Sequence, residues 1–198
     1  MIDHDLRKHA AEFRGYLKNH QYDVTDEGIL FPKAGAFASG EYIIESTGGC
    51  REVSQNLIPD AALSYLLDVA LGDTAKEPLW FLALYSGNYT PTPSLTAANF
   101  ASVATEIVSA TEGYTEPTRR PWEPAAAVGS GKDNYTNRAE FTMKTASSIT
   151  VRGAALLSAQ TKGGTSGTLI SATRFANPRI EYDENIVTLG YRARVRSE

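Results

Sequence analysis

The chain is short of the residues that most often carry chemistry. Its 198 residues include one cysteine, Cys50, which excludes an internal disulfide and a thiolate-rich zinc site. An intermolecular bridge or an inert buried thiol stays open for it, the inert thiol being the expectation. The histidines, His4, His9 and His20, all fall near the start, far in sequence from the serines of the rest of the chain. A Ser-His-Asp or Cys-His arrangement is therefore not expected. No apolar run reaches the ~20 residues that cross a bilayer; the longest lies around Ala61 to Leu71. The opening Met-Ile-Asp-His-Asp lacks the positive start and apolar core of a secretory signal, so a soluble protein made in a cytoplasm is expected. Charge of one sign is lacking too. Lys and Arg number 19 against 23 Asp and Glu, a net −4, which argues against a chain that binds nucleic acid or a membrane surface as a whole.

What the chain does have is glycine and tyrosine, 16 and 10 copies, a composition that points to a turn-rich β protein. The clearest stretch is Ile149–Phe175. Two β-prone runs, Ile149 to Leu157 and Thr168 to Phe175, flank a loop with Gly163, Gly164 and Gly167, which reads as a β-hairpin. Lys162-Gly163-Gly164-Thr165-Ser166 has neither the order nor the following helix of a phosphate loop. Upstream, Ala139, Phe141, Met143 and Thr145 alternate with polar residues, the pattern of a strand with one wet face. Trp80 to Tyr85 is continuously apolar and reads as an interior strand.

Helical spacing appears in three places. Leu6, Ala10, Phe13 and Leu17 fall on one stripe of a helix from about Asp3 to Asn19, too narrow to stand alone, so it must dock on the body of the protein or on a neighbouring subunit. Between Pro59 and Gly72 only Ser64 and Asp68 are strongly polar besides the opening Asp60; this helix is expected to be buried almost all round. Phe100, Val103 and Ile107 indicate a short helix within Leu95 to Val108, capped by Ser94 or Thr96. Before these, Ile29 to Phe31 and Tyr42 to Ile44 read as strands joined by an extended arm over residues 32–40. Prolines 117, 121 and 124 make Glu112 to Val128 extended. The final strand, Ile186 to Val195, carries Arg192 and Arg194 on one side, continued by Arg196; such a row protects a sheet edge or meets an acidic partner. Paired carboxylates such as Asp183-Glu184 sit in turns and lack calcium-loop spacing. No cofactor or metal site and no catalytic residue emerges, and an enzyme is not expected.

One resemblance adds to this reading. The segments Trp80-Phe81-Leu82-Ala83-Leu84-Tyr85, Gly113-Tyr114-Thr115-Glu116 with Arg119-Arg120-Pro121-Trp122, Val151-Arg152-Gly153-Ala154-Ala155-Leu156-Leu157, and Thr161 to Leu169 together resemble a family of virion structural proteins of tailed bacteriophages. The resemblance implies a non-enzymatic particle component, foremost a capsid cement or decoration protein. It would bind the major capsid protein and copies of itself, as a homotrimer on the capsid exterior, without nucleic acid, membrane or small-molecule substrate. It implies a jelly-roll-like or related antiparallel β-sandwich over 56–198, including the buried helix near 60–71, preceded by an N-terminal helix and arm over 1–55. Leu6, Phe13, Leu17, Phe37, Arg192, Arg194 and Arg196 are the partner-binding candidates. Two alternatives stay open: a neck, head-tail connector or tail-fibre-attachment component, and a carbohydrate-binding β-domain that uses Trp122, Tyr114 or Tyr89 to stack on sugar rings.

Overall fold

The structure, a computed structural model, describes residues 22–24, 30–32, 36–47, 49 and 51–197. The stripe over 3–19, the histidines and Cys50 lie outside the described residues. Contacts divide the chain into two units, Met1–Phe37 with Arg196–Glu198, and Ala38–Val195. In the first, the described backbone forms an antiparallel pair, β1 (Tyr22–Val24) and β2 (Leu30–Pro32), with Asp23 opposite Phe31.

The second unit is mainly β, two antiparallel sheets and two helices of the β-sandwich class. Its four-stranded sheet has the order β11-β10-β5-β7, from β5 (Phe81–Tyr85), β7 (Arg120–Pro121), β10 (Ile149–Leu157) and β11 (Leu169–Glu181). The other sheet runs β4-β3-β12-β9-β6, with β8 paired to β12. Its members are β3 (Ala36–Ser46), β4 (Glu52–Gln55), β6 (Gly113–Tyr114), β8 (Gly131–Asp133), β9 (Ala139–Lys144) and β12 (Ile186–Ser197). Helix α1 covers Asp60–Leu71 and α2 Ala97–Val103.

Side-chain alternation explains why these segments become strands. In β9, Ala139, Phe141 and Met143 are buried while Glu140 and Lys144 are exposed. β5 is buried at every position because both of its faces are covered. Leu82 and Leu84 join the core between the sheets with Tyr42, Phe141 and Leu189. Ala83 and Tyr85 point the other way, onto α2, where Phe100 meets the Tyr85 ring edge-on at 6.1 Å. Helix α2 starts at Thr96, whose backbone N–H donates to Asn99 Oδ1 at 2.9 Å in a capping box.

The hairpin of β10 and β11 forms with Leu157 opposite Leu169. β11 runs on to Glu181 through an irregularity: Gly153 faces Arg174, yet Val151 faces Arg179, so extra residues bulge out of the ladder, with Ala176 to Pro178 exposed while Phe175 stays buried in the core. Glu52 holds the bulge by accepting from the Ala176 N–H at 2.8 Å. In the connecting loop Gly163 has φ +71°, and its N–H donates to the Glu106 carboxylate at 2.9 Å. That carboxylate takes a bidentate grip from Arg119, both contacts 2.7 Å, with both side chains fully buried. Arg119 also donates to the carbonyls of Ala159 (2.9 Å) and Gly164 (3.2 Å). The loop is thus pinned at three backbone groups by one ion pair.

Three expectations are corrected. Helix α1 is not buried almost all round: Ala62 is its one buried residue, with Tyr65 and Val69 half-buried on the same side and Leu63, Leu66, Leu67 and Leu71 exposed. An apolar pattern on every face gives no direction, and only one face meets the body. β12 is not an edge strand. It lies between β3 and β9, and past the end of β9 its Arg192–Arg194 segment pairs with β8. The arm over 32–40 is already strand from Ala36, since β3 begins there.

Candidate functional site

The partner-binding candidates do not converge. Leu6, Phe13 and Leu17 lie outside the described residues. Phe37 is exposed in the first unit, and Arg196 is exposed in the same unit. Arg192 and Arg194 are spoken for. Arg192 Nε donates to Asp133 at 2.8 Å and its Nη1 to Glu41 at 3.3 Å, while Arg194 Nη2 reaches the same Glu41 oxygen at 3.2 Å. Two cations face two carboxylates, and the Tyr135 ring lies 4.4 Å from the Arg192 guanidinium. The notch of about 310 Å³ beside them, walled by Ala125, Val128 and Ser130, therefore carries little excess positive charge for an acidic partner.

This cluster predicts a pH response. Burial works against the Asp133 charge, but the hydrogen bonds from Arg192 and the Tyr135 N–H outweigh it and hold the carboxyl below its ordinary range. Hydrogen bonds from Thr145 and Ala146 lower Glu112, and Lys144 lowers Asp183, in the same sense. A carboxyl whose folded-state pKa is depressed stabilises the fold above its unfolded pKa and loses that contribution as pH falls through the folded value. The urea midpoint is expected to hold steady down to about pH 4 and to decline below it. Asp133→Asn should flatten part of the decline, and an unchanged acid limb in that variant would show that Asp133 does not contribute to it.

The distinctive apolar feature lies beside α1. A groove of about 160 Å³ opens between Leu66, Trp80, Trp122, Ile170, Tyr191 and Val195, almost all of its wall being carbon. Aromatic contacts build the floor. Trp122 meets Tyr191 at 5.8 Å, Tyr191 meets Tyr42 at 4.6 Å, and Trp80 meets Tyr65 of α1 at 5.9 Å. The polar ends are satisfied: Trp122 Nε1 donates to the Tyr191 carbonyl at 3.1 Å, and Tyr42 Oη pairs with Ser171 Oγ at 2.7 Å. Burial pushes the Tyr191 hydroxyl up to about 12 and the Tyr42 hydroxyl well above its ordinary value, so both stay neutral. A glycine makes this stacking reachable, because a Cβ on Gly40 would stand 2.5 Å from Tyr191 Oη.

From the groove the apolar surface continues over α1. Leu63, Leu66, Leu67, Ala70 and Leu71 recur at i, i+3, i+4, i+7 and i+8, one stripe of a helix, with Leu67 60% and Leu71 85% exposed. The inner residues Ala62, Tyr65 and Val69 form the opposite stripe. Chemically, such a surface buries apolar side chains; it places no titrating group where one would act on a substrate. Among the described residues no group of three His, Cys, Asp or Glu could hold a metal, and no helix is long and apolar enough to cross a membrane. The sugar-stacking aromatics do not make a common platform. Tyr114 is fully buried, Trp122 is half-buried with its indole N–H engaged, and Tyr89 is half-buried with its hydroxyl on Thr92 at 3.2 Å.

Sequence reasoning passed over Glu106 and the outer face of α1. Glu106 stands alone among neutral residues, and its partner Arg119 was noticed only within a motif. The stripe at 63, 66, 67, 70 and 71 was legible, but a second apolar stripe hid which one would be left open. Neither a protein-family model nor a curated protein sequence matches the chain.

Proposed function

We propose that the protein is a non-enzymatic structural component of a tailed-bacteriophage particle, and specifically a cement or decoration protein that seats on the capsid exterior and stabilises contacts between major capsid subunits. The observation that carries this reading is the uncovered leucine stripe of α1, continuous with the aromatic groove, on a body whose β10–β11 loop is pinned by a buried ion pair. A rigid two-sheet body with one large apolar face is suited to attachment, and exposed apolar surface of this extent marks an interaction site. The segments that resemble virion proteins support the reading by serving as framework: Trp80–Tyr85 contains β5, Val151–Leu157 lies in β10, and Thr161–Leu169 is the loop held by Glu106 and Arg119. Synthesis in the host cytoplasm followed by assembly onto the shell belongs to the same proposal.

The test is quantitative mass spectrometry of purified particles, comparing wild type with Leu71→Asp. Leu71 is exposed, so the variant is expected to fold with an unchanged circular dichroism melt while its incorporation drops. Copy numbers proportional to capsomers support the cement role. A small number fixed by the ring symmetry of the neck would support the neck or connector reading instead. A chain missing from particles, or a Leu71→Asp variant incorporated like wild type, would count against the attachment face.

A further inference from the structure

The α1 stripe and the groove need a cover, and the sequence contains a segment that matches both in shape and in charge. We infer that the apolar stripe of Asp3–Asn19 from a second copy of this chain seats on α1, with Phe13 in the groove, so that neighbouring copies are linked by an exchanged segment. The inference rests on the reading of the protein as a particle component present in many adjacent copies.

Three observations support this choice of occupant. The first is chemical need on both sides: Leu6, Ala10, Phe13 and Leu17 form a stripe too narrow to be stable without a partner surface, and α1 offers Leu63, Leu66, Leu67 and Leu71 without a described partner. The second is size. An apolar site of about 150 Å³ accepts a benzene ring, and the groove holds about 160 Å³, room for the Phe13 ring. The third is charge. On a helical wheel Arg7, Arg14 and Lys18 lie along one edge of the stripe with Asp3 the one acid on that edge, whereas α1 carries Asp60 and Asp68 and no basic residue. A donated stripe and a receiving groove are different surfaces, so the contact is heterologous, the kind that closes into a ring of copies when its rotation permits. That geometry suits a protein repeated around symmetric positions better than a two-fold contact of α1 with itself, which would bring the acids Asp60 and Asp68 into the contact with no basic residue of α1 to face them.

The test uses the full chain in a Cys50→Ser background. Copies bearing Phe13→Cys are mixed with copies bearing Leu66→Cys and oxidised mildly, and the products are resolved without reductant. A covalent dimer in the mixture, absent from either copy alone, is the expected result. Leu67→Cys, at a more exposed position of the same stripe, serves as a second receiver should Leu66→Cys fail to fold. In parallel, light scattering of Phe13→Asp is expected to show the loss of a wild-type oligomer, down to the 21.4 kDa of one chain. No cross-link with either receiver, a wild type that is already monomeric, or a chain carrying both cysteines that closes on itself as a fast-migrating monomer would each overturn the exchange. The particle role fails separately: cross-linked copies absent from purified particles would leave this contact standing and remove only the role on which it was premised.

Discussion

Arg119→Ala is expected to destabilise the protein by about 3–5 kcal/mol and to lower its melting temperature by roughly 6–20 °C. The guanidinium is fully buried and makes four hydrogen bonds: two to Glu106, one to the Ala159 carbonyl and one to the Gly164 carbonyl. Its removal leaves the Glu106 carboxyl in the interior with the Gly163 N–H as its remaining hydrogen-bond donor. Burying an unpaired charge costs far more than an exposed ion pair ever contributes, since exposed pairs are worth about 0–1 kcal/mol. Removing both charges, with Glu106→Leu and Arg119→Met together, should recover part of the loss, because the unpaired charge is gone. It should not recover all of it, because the Gly163 N–H and the Ala159 and Gly164 carbonyls then lack their partners. Urea unfolding of the two variants, with hydrogen exchange over 158–168, checks the argument. A loss below about 1 kcal/mol in Arg119→Ala, or loop protection equal to wild type, would mean that the pair does not hold the loop.

That ion pair also shows where sequence reading stops. The hairpin was legible because it is local: alternating apolar residues, a glycine-bearing turn, then a second β-prone run bring Leu157 opposite Leu169. β9 was legible for the same reason, and so was β5, whose unbroken run matches burial on both faces. Glu106 and Arg119 are thirteen positions apart, and their targets lie on a loop some forty residues further on; nothing in the local sequence connects them. β8 is a strand without strand-like residues. Gly-Lys-Asp pairs because β12 runs past β9 and leaves backbone groups that need partners. The arginines of β12 looked like edge protection because a chain terminus so often lies at an edge. Their real surroundings, Glu41 and Asp133, come from β3 and β8, and only the sheet order brings them there. For the candidate site, composition identified α1 as apolar all round, but which face would be left open depended on the position of β11, Trp80 and the aromatic floor.

The second large effect is expected at Gly153, where the ordinary sign of a glycine substitution is reversed. Inside a strand, glycine is usually the weaker choice, by roughly 0.5–1 kcal/mol relative to alanine, so Gly153→Ala would be expected to stabilise if only the backbone of β10 mattered. The surroundings decide otherwise. A Cβ at 153 would overlap the Tyr85 ring, its hydroxyl and the Thr173 carbonyl oxygen. Tyr85 crosses this position because Gly153 is its register partner on β10, and its hydroxyl donates to the Thr173 carbonyl at 2.9 Å. The ring is fully buried and packs on Phe100 of α2, so it has no free space to swing into. Overpacking of a close-packed core costs about 1–3 kcal/mol, and displacing the phenol forfeits a buried hydrogen bond of about 1 kcal/mol as well. Gly153→Ala is therefore expected to lose about 3 kcal/mol, measured as a lowered urea midpoint. Pairing it with Tyr85→Leu tests the cause. Removing the phenol clears two of the three overlapping atoms, so the double variant should be less destabilised than the sum of the two single changes, a coupling on the order of 1 kcal/mol or more. The Thr173 carbonyl remains in the way, and it belongs to the β10–β11 ladder, so recovery should stay partial. Strict additivity of the two substitutions, or a Gly153→Ala protein as stable as wild type, would show that Tyr85 does not demand the glycine.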